Sequence, residues 1–83
     1  MGEARSMLEK YLKKHPNDSY VLLIFGRVEE RLGRRASALD ALVRAMKQPA
    51  SDERIAFNAG ELAADLGDAP KTEAYFKRYV EML

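Results

Sequence analysis

Arg27, Arg31, Arg34 and Arg35 stand at helical spacing and form a basic stripe, the kind of surface that meets phosphates or acidic side chains. Two groups of acids invite a different chemistry: the adjacent Glu29 and Glu30, and Asp65 with Asp68. No companion base, metal-ligand spacing or glycine-rich phosphate loop accompanies them, so they read as surface acids on amphipathic helices. The one histidine, His15, precedes a proline at a helix end, where its role is that of a cation near the helix C-terminus. Arg34-Arg35-Ala36-Ser37 has the form of a basophilic kinase site, yet a short charged stretch is also ordinary at a turn between helices. The chain has no Cys, which excludes thiol catalysis, disulfides and thiolate-bound zinc. No catalytic site, metal site or cofactor is expected.

The charge balance decides how far the basic stripe can be pressed. There are 14 Lys and Arg against 13 Asp and Glu, a net charge of +1, which excludes a general polyanion binder. Residues 17–50 carry a net charge of +2 and residues 51–83 one of −3, so the two segments attract each other. Glu61 and Asp65 follow Arg27 and Arg31 at one common offset, which predicts Arg27–Glu61 and Arg31–Asp65 pairs on neighbouring helices. Nucleic-acid binding is therefore not expected, and an RNA-binding helical repeat is a remote alternative. The longest wholly apolar run is residues 21–25, too short for a membrane span.

The elements that position these residues come from a repeat. A shift of 34 residues carries Asp18 onto Asp52, Gly26 onto Gly60, Leu32 onto Leu66, Gly33 onto Gly67 and Arg44 onto Arg78. It also carries Ala4 onto Ala38, Leu8 onto Leu42 and Lys13 onto Lys47. Within one period Val21, Phe25, Val28 and Leu32 mark one helix face, and Ala38, Leu42 and Ala45, with Leu39 and Met46 beside them, mark a second. Gly33 separates the two as a residue suited to left-handed geometry after a helix end. Pro49 closes the second helix, and Ser51-Asp52-Glu53 offers an N-cap to the next. Ile55, Ala59, Leu62 and Leu66, then Gly67, then Phe76, Tyr79 and Val80 repeat the scheme, and Ala4, Leu8 and Tyr11 precede it as a lone helix of the second type. No segment alternates at period two. The expectation is an all-α chain of five helices in the order B-A-B-A-B, one domain with a half repeat at 1–16 and repeats at 17–50 and 51–83.

These residues resemble the tetratricopeptide repeat, a family of helix-turn-helix units. Counted from Ser19, six of the family's eight signature positions are held by Leu22, Phe25, Gly26, Ala38, Leu42 and Ala45. Glu29 and Ala50 depart from it, standing where a large apolar residue and a proline are usual. The next repeat, from Glu53, keeps Gly60 and Phe76 but puts Ala56, Ala59 and Ala63 at positions usually larger and Tyr79 at one usually small. The resemblance implies an α-α superhelix of TPR-like hairpins that acts as a scaffold or adaptor, binding a protein or peptide segment in a groove formed by the A helices. It places Tyr20, Leu23, Arg27 and Arg31 of one A helix, and Arg54, Phe57, Asn58 and Glu61 of the other, toward that groove. Leu23 and Phe57 are divided between groove and inter-helix packing. The carboxylate clamp of some members is absent, because Leu23 and Arg27 stand where its Lys and Asn are needed.

The other expected role is structural, as a segment of a longer array that mediates self-association. Met7 and Tyr11 on the first helix, and Tyr75, Tyr79, Val80 and Leu83 on the last, form terminal apolar faces with no neighbouring A helix to cover them. A homo-oligomer, or a piece of a longer array beginning at Met1-Gly2, is expected on that ground. No cellular compartment is legible.

Overall fold

The computed structural model describes residues 2–48 and 53–83, so Pro49, Ala50 and the proposed Ser51-Asp52 cap lie outside the described residues. Among the described residues the chain is all-helical, with α1 at Gly2–Lys14, α2 at Ser19–Arg31, α3 at Arg35–Met46, α4 at Glu53–Asp65 and α5 at Ala69–Met82. Contacts follow chain order: α2 with α3 and α4 with α5 form the two most extensive pairings, α3 joins α4, and α1 rests more lightly on α2.

Local chemistry starts and stops the helices. The Asp18 carboxylate accepts the backbone N–H of Val21 at 3.1 Å and caps α2, and Asp68 does the same for Lys71 at 3.1 Å to start α5. Pro70 falls in the first turn of α5, where no backbone donor is lost. Gly33 and Gly67 have φ of 78° and 75°, the left-handed region that a side chain resists. Each closes a helix with two reverse bonds. Gly33 N–H donates to Glu30 C=O and Arg34 N–H to Glu29 C=O, at 2.9 and 2.8 Å; Gly67 N–H donates to Ala64 and Asp68 N–H to Ala63, both at 3.0 Å.

The core is built from Leu22, Leu39, Leu42, Met46, Ile55 and Leu62, interleaved with alanines of α3 and α4. Small residues let the hairpins close. A Cβ at Gly26 would sit 3.2 Å from Leu42, and one at Gly60 would sit 2.6 Å from the Phe76 ring. Two sequence expectations are corrected here. The buried face of α2 runs through Leu22, Leu23, Gly26 and Glu29, whereas Val21, Phe25 and Val28 are only half-buried. Leu32 and Leu66 are exposed, because each falls at the helix terminus where the chain turns away from the core.

Candidate functional site

Arg27 and Arg31 stand four residues apart on α2 and share one cleft with Glu30, Leu42 and Asn58, a cavity of about 240 Å³. Leu42 of α3 contributes its apolar side chain, while α2 supplies the two guanidinium groups and α4 the carboxamide of Asn58. The predicted Arg27–Glu61 and Arg31–Asp65 ion pairs do not form among the described residues. The reason lies in the packing: α2 and α4 each join broadly to α3, not to each other, so side chains one period apart do not meet. The cleft therefore presents two cations beside one acid, with an amide able to donate and accept. That composition suits a carboxylate or a similar anion with a short apolar flank.

The other groove candidates scatter. Tyr20 is exposed at the start of α2, and Leu23 is buried as part of the core. Phe57 turns toward α5, its ring 5.7 Å from that of Phe76 and 5.2 Å from that of Tyr79. Arg54 and Glu61 are exposed on α4. Of the terminal candidates, Met7, Val80 and Leu83 are well exposed. Tyr75 and Tyr79 are half-buried against the core. Tyr11 is committed within the chain: its hydroxyl donates to the Asp18 carboxylate at 2.9 Å and its ring lies 4.6 Å from that of His15. The N–H of Val21 and the Tyr11 hydroxyl hold the Asp18 carboxyl below its ordinary range, and the bond to Asp18 in turn raises the Tyr11 hydroxyl.

The sequence reading treats Glu29 as a surface acid, and this is corrected: its side chain is fully buried. Arg5 of α1 reaches it through Nε at 2.5 Å and Arg34 Nε lies 3.2 Å from the other oxygen. Arg5 is itself braced by Glu9 one turn on, and its guanidinium lies 6.0 Å from the centre of the Phe25 ring. Burial pushes the Glu29 carboxyl up. The nearby Ser37, the hydrogen bond from Arg5, and the charges of Arg5 and Arg34 outweigh burial and hold it below its usual value. A signal for this was present: Glu29 stands three residues after Gly26, seven after Leu22, and one period before Ala63, all on the buried side.

Among the described residues no group of three or more His, Asp or Glu side chains could hold a metal ion, and no helix is long and apolar enough to cross a membrane. No known family model matches the sequence, and no curated protein matches it.

Proposed function

We propose that this chain is a tetratricopeptide-type helical-repeat module, a fragment of α-α superhelix, that binds a segment of another protein through the cleft between its A helices, α2 and α4. The observation that carries the reading is the cleft itself, where Arg27 and Arg31 face solvent without an acid on the neighbouring A helix to neutralise them. Support also comes from the internal period, from the glycines at the two hairpin crossings, and from the identical left-handed stops at Gly33 and Gly67. The segment is bound by an acidic side chain or terminal carboxylate between the two guanidinium groups, with Asn58 bonding to its backbone and Leu42 under its apolar flank.

Fluorescence anisotropy with short acidic peptides tests this against two controls, the same peptides with amide side chains and a single-stranded RNA. Acidic peptides are expected to bind and to weaken as salt rises. Arg27→Ala should weaken binding roughly 5-fold, the size of one exposed charge contact. Equal binding of acidic and amide peptides would remove the anion from the reading, and salt-dependent binding of RNA alone would replace it with the nucleic-acid alternative.

A further inference from the structure

Arg34 and Asp68 stand one period apart, each at the cap of a B helix, and they carry opposite charges. Before α5, the Asp68 carboxylate accepts the Lys71 N–H at 3.1 Å, and the Lys71 ammonium lies 3.8 Å from the same carboxylate. Before α3, the Arg34 side chain makes no capping bond, and the first turn holds no acid. The start of α3 therefore sets two guanidinium groups, Arg34 and Arg35, against the positive end of the helix dipole, and its first N–H groups receive no acceptor from the cap. A helix begun in this way frays more readily at its first turn than one begun by an aspartate.

Ser37 stands in α3 where Lys71 stands in α5, three residues after the cap. The Asp68–Lys71 pair shows that a short and a long side chain at these two positions reach each other across the first turn. A phosphate on Ser37 meets Arg34 in the same way, with the signs exchanged and the long member at the cap, and it brings acceptor oxygens to the first N–H groups of α3. Arg34 is placed to turn to it. Its side chain is 54% exposed, and it lies 3.2 Å from Glu29 Oε2 without a hydrogen bond, while Arg5 keeps its bond to the other oxygen. The sequence Arg34-Arg35-Ala36-Ser37 also sets cations three and two residues before the hydroxyl, the form that a basophilic serine kinase reads, and Gly33, Arg34, Arg35 and Ser37 line one open cavity of about 480 Å³. Ser37 is half-buried, so the transfer needs the first turn of α3 to open, which its lack of a cap favours.

We propose that Ser37 is a phosphorylation site for an arginine-directed serine kinase, and that its phosphate caps α3 by drawing Arg34 away from Glu29. In the transfer the bond from Ser37 Oγ to the γ-phosphorus of ATP forms as the bond from that phosphorus to the bridging oxygen breaks. ADP leaves, and the hydroxyl proton passes to the base of the kinase. The site shares no residue with the Arg27–Arg31 cleft, so either reading can fail without the other. The test is incubation of the full chain with cyclic-AMP-dependent protein kinase and magnesium ATP, followed by mass spectrometry and amide hydrogen exchange. One phosphoryl group is expected, on Ser37; Ser37→Ala should abolish the transfer, and Arg35→Ala, at an exposed position, should slow it ~10-fold. Exchange in the first turn of α3 should then slow roughly 5-fold, the size of one helix cap. Arg34→Gln, phosphorylated by longer incubation, should show less slowing, and equal slowing would overturn the role given to Arg34. No transfer to the folded chain, even where a free peptide of residues 31–40 accepts it, overturns the proposal. Transfer to Ser6 or Ser19 in place of Ser37, or exchange in α3 that is unchanged or faster after phosphorylation, would overturn it as well.

Discussion

Glu29 is the residue whose environment most constrains the molecule. A carboxylate with no solvent contact is tolerable only because Arg5, Arg34 and Ser37 surround it. Since its folded pKa is depressed, its contribution to stability is complete above the unfolded value of about 4.3 and is lost as pH falls through the lower folded value. Glu29→Gln should therefore lower stability at pH 7 by about 1–3 kcal/mol and flatten the acid limb of a stability–pH curve. An unchanged acid limb would mean that Glu29 is not the group responsible. The glycines of the two crossings make a second contrast at this scale. A methyl at Gly60 meets an aromatic ring at 2.6 Å, which must move, whereas at Gly26 it meets Cγ and Cδ2 of Leu42 at 3.2 Å and the Ala38 carbonyl oxygen at 3.4 Å, a lesser conflict. Gly60→Ala is expected to cost about 1–3 kcal/mol in urea denaturation. Gly26→Ala should fall near neutral, because relief of the glycine's helix penalty of about 1 kcal/mol offsets the contact.

At the scale of the elements, the stops matter more than the stripes. Gly33 and Gly67 turn the chain through the left-handed region with no neighbour near the missing Cβ, so substitution there tests backbone strain alone. Gly67→Ala should cost about 1–2 kcal/mol, measured by thermal melting, and Gly33→Ala the same. A clear difference between them would show that the two turns are not equivalent. These stops were legible in the sequence, as were five helices, because glycine spacing reports backbone geometry directly. The buried side of α2 was not. Reading Val21, Phe25 and Val28 as the inner face follows hydrophobicity, and the glutamate that occupies the true inner face is invisible to that criterion. The Arg27–Glu61 and Arg31–Asp65 pairs failed for another reason: a shared offset of 34 identifies equivalent positions, but it does not say that the two helices carrying them lie side by side. Part of the cleft survived this error, since Arg27, Arg31 and Asn58 do converge, while Leu42, which belongs to a B helix, was not anticipated as lining it.

The whole molecule is a slab, with extents of 33 × 27 × 14 Å and a radius of gyration of 12.2 Å. Its smallest extent, between Cα atoms, fits two packed helices with axes ~8–10 Å apart, so every helix reaches a surface and the buried residues are shared between neighbours in sequence. Such a chain closes mostly short loops as it folds. Stopped-flow refolding is expected to be complete within about a millisecond or faster, in the range of helical domains rich in local contacts. Seconds-long refolding would mean that a non-local step, such as assembly of two copies, limits the rate.

Arg5 and Glu29 have counterparts one period on, Leu39 and Ala63, both buried in the core. The first junction between a B helix and the A helix after it is thus written in charge, and the second in hydrocarbon. Exchanging the B helices between these seats would leave Arg5 against Ala63 and Leu39 against Glu29, parting the Arg5 cation from its acid and leaving Glu29 with Arg34 alone. The two halves of an almost repetitive chain thereby carry different addresses, and the Arg5–Glu29 pair is expected to favour the correct seating as the chain folds. Its removal need not destabilise the correct product, since replacing a buried ion pair by apolar residues is often neutral or stabilising. The combined substitution Arg5→Leu and Glu29→Ala makes the seats alike, and its expected mark is a second, slower refolding phase as chains escape the wrong pairing. Refolding in one phase, as fast as the parent, would show that the addresses are written elsewhere.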